Sequence, residues 1–351
     1  MINDFKINNT FIGQSHTPFI IAEISGNHNQ SLNRALEIID AASDAGAHAV
    51  KIQTYTADTM TLDIKDKEFF IKDKNSLWYG KSLYELYKIA YTPWEWHEEI
   101  FDYANKLGLI CFSTPFDETA IDFLENLNVP AYKIASFENS HIKLIQKAAS
   151  TGKPLIISTG MATLSEIEEI TNIVRDAGCE NFILLKCTST YPASPENSNV
   201  LTIPNMQKVF NCQIGLSDHT LGIGASLAAV SHGATVIEKH FTLLRSDGGV
   251  DSEFSMEPNE MKQLVRETKV AWQSLGTIKY GPRKAEKSSK IYRRSLYVSK
   301  DIKQGEKFNN QNLRIIRPGL GLPPKYYDIF IGKKVNCDVK KGTPVSFDLI
   351  G

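Results

Sequence analysis

The sequence predicts an α/β fold, a closed (β/α)8 barrel, followed by a small all-β domain. Three observations carry this. Short apolar, β-branched runs alternate with amphipathic segments from residue 19 to about residue 275, the pattern of repeated βα units on a parallel sheet. Eight such runs can be counted, each beginning apolar and ending polar. No Gly-rich dinucleotide fingerprint follows the first run, so a barrel is favoured over an open dinucleotide-binding sheet.

The expected strands are FIIAEIS (19–25), AVKIQTY (49–55), LICFSTP (109–115), AYKIAS (131–136), PLIISTG (154–160), FILLKCT (182–188), QIGLSDH (213–219) and TVIEKHF (235–241). Between them, Thr92 and Glu95 flank Pro93 as a capping box whose helix Gly108 closes, and Thr163 with Glu166 forms a second box. The connection at 56–91 is too long for an ordinary barrel loop and holds Trp78, Tyr79, Tyr84 and Tyr87; such loops act as lids or are packed decorations. The barrel is expected over 1–280, a linker with six basic residues and one acidic residue over 281–294, and the all-β domain over 295–351. A unit that small must dock on its own barrel or a partner's.

The 351 residues carry a net charge of −1 and 42% hydrophobic content. That excludes a global attraction to nucleic acid or anionic membranes and fits a globular chain with a small partner. The five cysteines form no CxxC pair, and there is neither an export signal nor an 18-residue apolar run, so a cytoplasmic location is expected.

Polar residues at the C-terminal strand ends of a barrel converge at its mouth. Here they include Glu23, Lys51, Lys133, Ser136, Ser158, Ser189, Ser217, Asp218, His219, Glu238 and His240. An unpaired lysine facing inward is heavily penalised, so Lys51 and Lys133 predict an anionic ligand or acidic neighbours, and with the serines they suggest a phosphate cradle. His219 and His240 end consecutive strands, which suits a divalent metal with open positions, Asp218 and Glu238 serving as further ligands or anchors. Glu23 is a candidate general base or the partner of Lys51. Lys186, on the sixth strand, leaves a Schiff-base aldolase as a rival enzyme class, and a non-catalytic glycan-binding protein is the rival outside enzymes.

The segments IAEISGNHN, AVKIQT, STPFD, AYKIASFE, ISTGM, LLKCTSTYP, GLSDHT, EKHFTL, RRSLYVSKDIKQGE and RPGLG, in this order, resemble the sialic acid synthase family. The resemblance implies a C-terminal antifreeze-like (SAF) domain and a homodimer in which that domain reaches over the partner's barrel. It implies condensation of phosphoenolpyruvate with an open-chain N-acetylated amino sugar. Lys51, Lys133, Ser136, Ser158, Ser189 and Ser217 would hold phosphoenolpyruvate; Tyr191, Asp251 and Arg317 would hold the sugar. His219 and His240 would hold a divalent metal, manganese first with magnesium or cobalt as alternatives, and Glu23 would stabilise the developing cation or activate water. Lys186, Cys187, Thr188 and Ser189 stand where the neuraminate-making branch has His-Cys-Thr-Asn. RSDGGVDSEFSMEP resembles the pseudaminate branch, whose acceptor is 2,4-diacetamido-2,4,6-trideoxy-L-altrose, a sugar without a 6-hydroxyl that calls for a less polar pocket. Neuraminate and legionaminate synthases are the alternatives, and use of the product on flagellin or surface polysaccharide follows from the resemblance alone.

Overall fold

The computed structural model describes residues 2–351 and divides into two compact units, Met1–Gly276 and Thr277–Gly351. The first opens with a hairpin, β1 (Phe5–Ile7) and β2 (Thr10–Ile12), which the sequence reading did not anticipate. Eight parallel strands follow: β3 (Phe19–Glu23), β4 (Ala49–Thr54), β5 (Ile110–Pro115), β6 (Tyr132–Ile134), β7 (Leu155–Ser158), β8 (Phe182–Cys187), β9 (Gln213–Ser217) and β10 (Val236–His240). They close in sequence order, with β10 beside β3. The expected barrel is therefore present, its strands one to three residues shorter at their ends than the apolar runs.

Side chains alternate across each strand. Phe19, Ile21, Ala49, Ile110, Phe112, Ile156, Ile183, Leu185 and Val236 face inward and form one core with Ile7 and Ile12 of the hairpin, which seals the N-terminal end. Their neighbours Ile20, Val50, Ile52, Ile134, Leu184 and Ile237 pack outward in a second core with the helices. Gly215 belongs to the inner row because a Cβ there would lie 2.4 Å from the Val236 carbonyl oxygen.

The helices are α1 (Leu32–Ala45), α2 (Ala57–Met60), α3 (Leu83–Ala90), α4 (His97–Lys106), α5 (Glu118–Asn126), α6 (Ile142–Ser150), α7 (Leu164–Asp176), α8 (Thr202–Phe210), α9 (Gly224–Ser231) and α10 (Pro258–Leu275), of which all but α2 and α3 form the outer layer. Thr163 and Glu166 form the expected capping box on α7. Thr92 does not cap; its hydroxyl pairs with His28 Nε2 at 3.3 Å, and a 3-10 turn, Trp94–Trp96, precedes α4. The 56–91 connection is not structureless, since it contains α2 and α3, each with a capping box of its own.

The second unit pairs β11 (Ser295–Val298) with β12 (Leu313–Ile316), antiparallel, around Leu296, Ile302, Phe308, Phe330 and Val345. It is not purely β, because α11 (Tyr327–Phe330) contributes Phe330 to that core. Residues 281–294 are exposed and form 3-10 turns. No helix among the described residues is long and apolar enough to cross a membrane.

His28 and His97 are fully buried, and burial pushes each imidazole down to about 4. His28 Nδ1 accepts from the Gln30 amide at 3.2 Å, so it cannot gain a proton without losing that bond. Both histidines are neutral when folded and take up protons near pH 6.5 when unfolded. Their contribution is therefore complete above pH 6.5 and falls as pH drops toward 4, by about 1.4 kcal/mol per pH unit for each. Urea denaturation at pH 7 and pH 5 should show a smaller pH-dependent loss for His28→Gln than for the wild type.

Candidate active site

Continuing the inward row of each strand toward its C-terminal end replaces hydrocarbon with polar groups: Glu23 on β3, Lys51 and Gln53 on β4, Thr114 on β5, Lys133 on β6, Ser158 on β7, Cys187 on β8, Ser217 on β9, Glu238 and His240 on β10. All of them line one cavity of about 420 Å3 at the barrel mouth. Strand register sets Glu23 between Lys51 and His240.

The floor of this cavity is a lattice of two lysines and two carboxylates. Lys51 Nζ lies 2.5 Å from Glu23 and 3.8 Å from Glu238, and Lys133 Nζ lies 3.7 Å from Glu238. Lys51 also donates to Thr114 at 3.0 Å, and Gln53 donates to Glu23 at 2.9 Å. Burial pushes the Glu23 carboxyl up, with Lys51 pulling the other way. At Glu238 burial acts in the same sense, but Lys133 and Lys51 outweigh it and hold the carboxyl below its usual range. Burial lowers Lys133, whereas at Lys51 the two carboxylates overcome burial and raise it. With both pairs ionised the lattice is neutral, which is what lets four charges sit in a barrel core.

Beside Lys133 is a cluster of hydroxyls. Lys133 Nζ donates to Ser158 Oγ at 2.6 Å, and the Gly160 amide donates to Ser136 Oγ at 3.2 Å. Ser189 is not on the cavity wall, but its hydroxyl completes this cluster: a Cβ at Gly160 would lie 2.2 Å from Ser189 Oγ and 2.6 Å from Ser136 Oγ. Such a concave set of hydroxyls and ammonium groups fits a phosphate or carboxylate.

The His219 and His240 rings are neighbours, with centroids 5.3 Å apart, and Tyr191 packs on His219 at 4.5 Å and Phe254 on His240 at 4.9 Å. His219 Nδ1 lies 3.0 Å from the Thr188 carbonyl, which orients the ring. Burial and nearby positive charge push His240 far down, so it is a neutral donor, and its Nδ1 has no hydrogen-bond partner. Glu238 Oε2 is likewise buried without one. Among the described residues no three His, Cys, Asp or Glu side chains converge as a complete metal shell. At His219 burial works to lower the imidazole, but Cys187 outweighs it and raises it. The pair fits a divalent ion, with remaining positions for water and substrate oxygen, once His219 gives up its proton to the metal. Asp251 Oδ2 lies 3.9 Å from His240 Nδ1 and accepts from Ser25, and burial raises its carboxyl to about 6.

Two sequence candidates face the wrong way. Asp218 points outward, bonded to Ser226 at 2.6 Å and to Lys239 at 3.1 Å, so it braces the loop that carries His219 and does not enter the cavity. Lys186 lies on the outward row of β8 and bonds the Cys187 carbonyl at 3.0 Å; it is not on the cavity wall, which removes the geometric basis for a Schiff-base lysine. Arg317 belongs to the second unit, where it is exposed just beyond β12. The sequence reading did not single out Gln53, Thr114, Cys187 or Glu138, all on the wall. For the first three, counting by two from Lys51, Phe112 and Leu185 was the available signal. At Cys187 burial works to raise the thiol, but His219 outweighs it and brings it to about 7; burial raises Glu138 to about 7.

The sequence model described as the NeuB family matches residues 38–280, and that of the SAF domain matches 293–350. The chain is 44% identical to the pseudaminic acid synthase of Campylobacter jejuni subsp. jejuni serotype O:2 over 92% of this chain and 94% of that protein. It is 44% identical to the pseudaminic acid synthase of Helicobacter pylori, over 94% and 97% of the two chains. Among solved structures, the N-acetylneuraminic acid synthetase of Leptospira borgpetersenii serovar Hardjo-bovis superposes with a TM-score of 0.74 at 34% identity, over 82% of this chain and 95% of that one.

Gly160→Ala should force Ser136 and Ser189 apart. Inorganic phosphate binding, measured by calorimetry, is expected to weaken about tenfold or more, the loss of one to two hydrogen bonds to an anion, while the thermal midpoint changes little.

Proposed function

The chain belongs to the NeuB family, and from that premise we propose that it is a pseudaminic acid synthase, an enzyme of transferase type. It condenses phosphoenolpyruvate with 2,4-diacetamido-2,4,6-trideoxy-L-altrose and water, giving pseudaminic acid and phosphate by C–O cleavage. The observation that supports this most directly is one cavity holding both a lysine and serine cradle and a buried imidazole pair.

In this reading Lys51, Lys133, Ser136, Ser158, Ser189 and Ser217 hold the phosphate and carboxylate of phosphoenolpyruvate. Tyr191 and Asp251 hold the sugar so that its aldehyde carbon meets C3 of the enol. A divalent ion on His219 and His240, manganese in preference to magnesium or cobalt, would polarise the aldehyde oxygen. C3 bonds to the aldehyde carbon, and C2 becomes oxocarbenium-like. Glu23, with a carboxyl raised by burial and held between Lys51 and Gln53, accepts the proton of the water that adds at C2. The C2–O bond to phosphate then breaks as the added hydroxyl becomes the keto group, its proton leaving with phosphate, while the proton taken by Glu23 passes to the former aldehyde oxygen, now the new hydroxyl. Arg317 reaches the sugar from the second chain of a homodimer, and the reaction belongs in the cytoplasm, where the five unpaired cysteines suit a reducing medium.

Phosphate release should be fastest with the altrose acceptor among altrose, mannose and legionaminate-type sugars, and should stop on chelation; equal rates for all three would overturn the acceptor assignment. His219→Ala and His240→Ala should each lower kcat by about a thousandfold, the several kcal/mol of charge stabilisation that such an ion supplies. Mixing Arg317→Ala chains with His240→Ala chains should restore part of the activity, because one hybrid site combines two intact halves. No recovery would sink the shared site.

A further inference from the structure

The chemistry above leaves the insertion between β4 and α4 without a role, although it forms one wall of the cavity. Met60, Ile71, Leu83, Leu86 and Tyr87 present hydrocarbon there, opposite a floor that is charged. Among the described insertion residues on that wall, the only hydroxyl is that of Tyr87, whose ring packs edge-on against Tyr55 at 5.8 Å. The wall is fixed rather than loose. Trp78 Nε1 donates to the Val250 carbonyl at 2.8 Å, α3 begins with a capping box, and Leu86 and Ala90 are buried.

Strand order decides what this wall meets. The hydroxyl cluster and Lys133 occupy the arc from β6 to β9, the imidazoles sit at the seam of β9 and β10, and the insertion rises from the end of β4, beyond β3. An acceptor with its aldehyde at the imidazoles, beside an anion on the β6 to β9 arc, has its far carbons directed across β3 and β4. An extended six-carbon chain spans roughly 6 Å from C1 to C6 at ordinary C–C bond lengths, enough to cross from the seam toward the insertion.

We propose that Met60, Ile71, Leu83 and Leu86 are a specificity wall for the terminal carbon of the acceptor, accepting a C6 methyl group and selecting against a C6 hydroxymethyl group. This rests on the synthase reading given above. A hydroxyl pressed against these side chains gives up water without gaining a partner. Exclusion of that kind is worth about tenfold to a hundredfold in kcat/KM, the limit for an apolar pocket facing an added hydroxyl.

The test compares kcat/KM, by phosphate release, for the 6-deoxy acceptor and for 2,4-diacetamido-2,4-dideoxy-L-altrose, which differs only at C6. The enzymes are the wild type, Met60→Gln and Leu83→Gln, with KM for phosphoenolpyruvate and the thermal midpoint recorded for each. The wild type should prefer the 6-deoxy sugar about tenfold to a hundredfold. At least one variant should narrow that ratio to about threefold or less while KM for phosphoenolpyruvate and the midpoint hold, since one new polar partner recovers most of the lost hydrogen bond. A wild type that turns over neither sugar refutes the synthase reading itself. A wild type that uses both sugars equally, or two folded variants that keep the wild-type ratio, overturns the wall and leaves the synthase reading standing.

Discussion

Everything at the mouth of this barrel depends on the two-residue alternation of its strands. The same inward row that is Phe19 and Ile21 at the bottom becomes Glu23 at the top, and the row that begins at Ala49 becomes Lys51 and then Gln53. Closure of eight such rows converts a linear pattern into a ring of functional groups above a hydrocarbon core. The ring is tolerable only because its charges cancel. Removing one partner of the Lys51–Glu23 pair would leave its counterpart buried and uncompensated, which costs far more than the pair itself contributes.

The sequence made much of this legible, and the limits have physical causes. The eight strands were readable because parallel strands buried on both faces are continuous apolar runs, and the same continuity hid their ends by one to three residues. Glu23, Lys51, Lys133, Ser158, Ser217 and His240 were found by residue type and place, and each occupies the inward row. Asp218 and Lys186 pass the same two criteria but point outward, which leaves Asp218 as an anchor of the His219 loop and not a ligand. Parity counted from the apolar residues of each strand would have separated the two groups.

Other misreadings came from side chains that choose distant partners. Thr92 fits a capping box locally, yet its hydroxyl is taken by His28, 64 residues earlier. The hairpin at the N-terminus has strands of three residues each, too short for a periodic signal, and only the open barrel end below Phe19 and Val236 explains its two isoleucines. The insertion at 56–91 stands out by its length, and the helical period of Leu83, Leu86, Tyr87 and Ala90 on α3 does not say that this face lines a cavity. Ser189 stands beside Ser136 for a reason that no sequence pattern expresses: Gly160 has no side chain and lets two serine hydroxyls close over it.

That hairpin has a consequence for traffic. With Ile7 and Ile12 capping a core that Phe19, Ile21, Phe112 and Leu185 already fill, the lysines are approached from the barrel mouth alone, and both substrates of the synthase reading would share that approach. The two isoleucines thus act on traffic they never touch, by leaving the mouth as the way in.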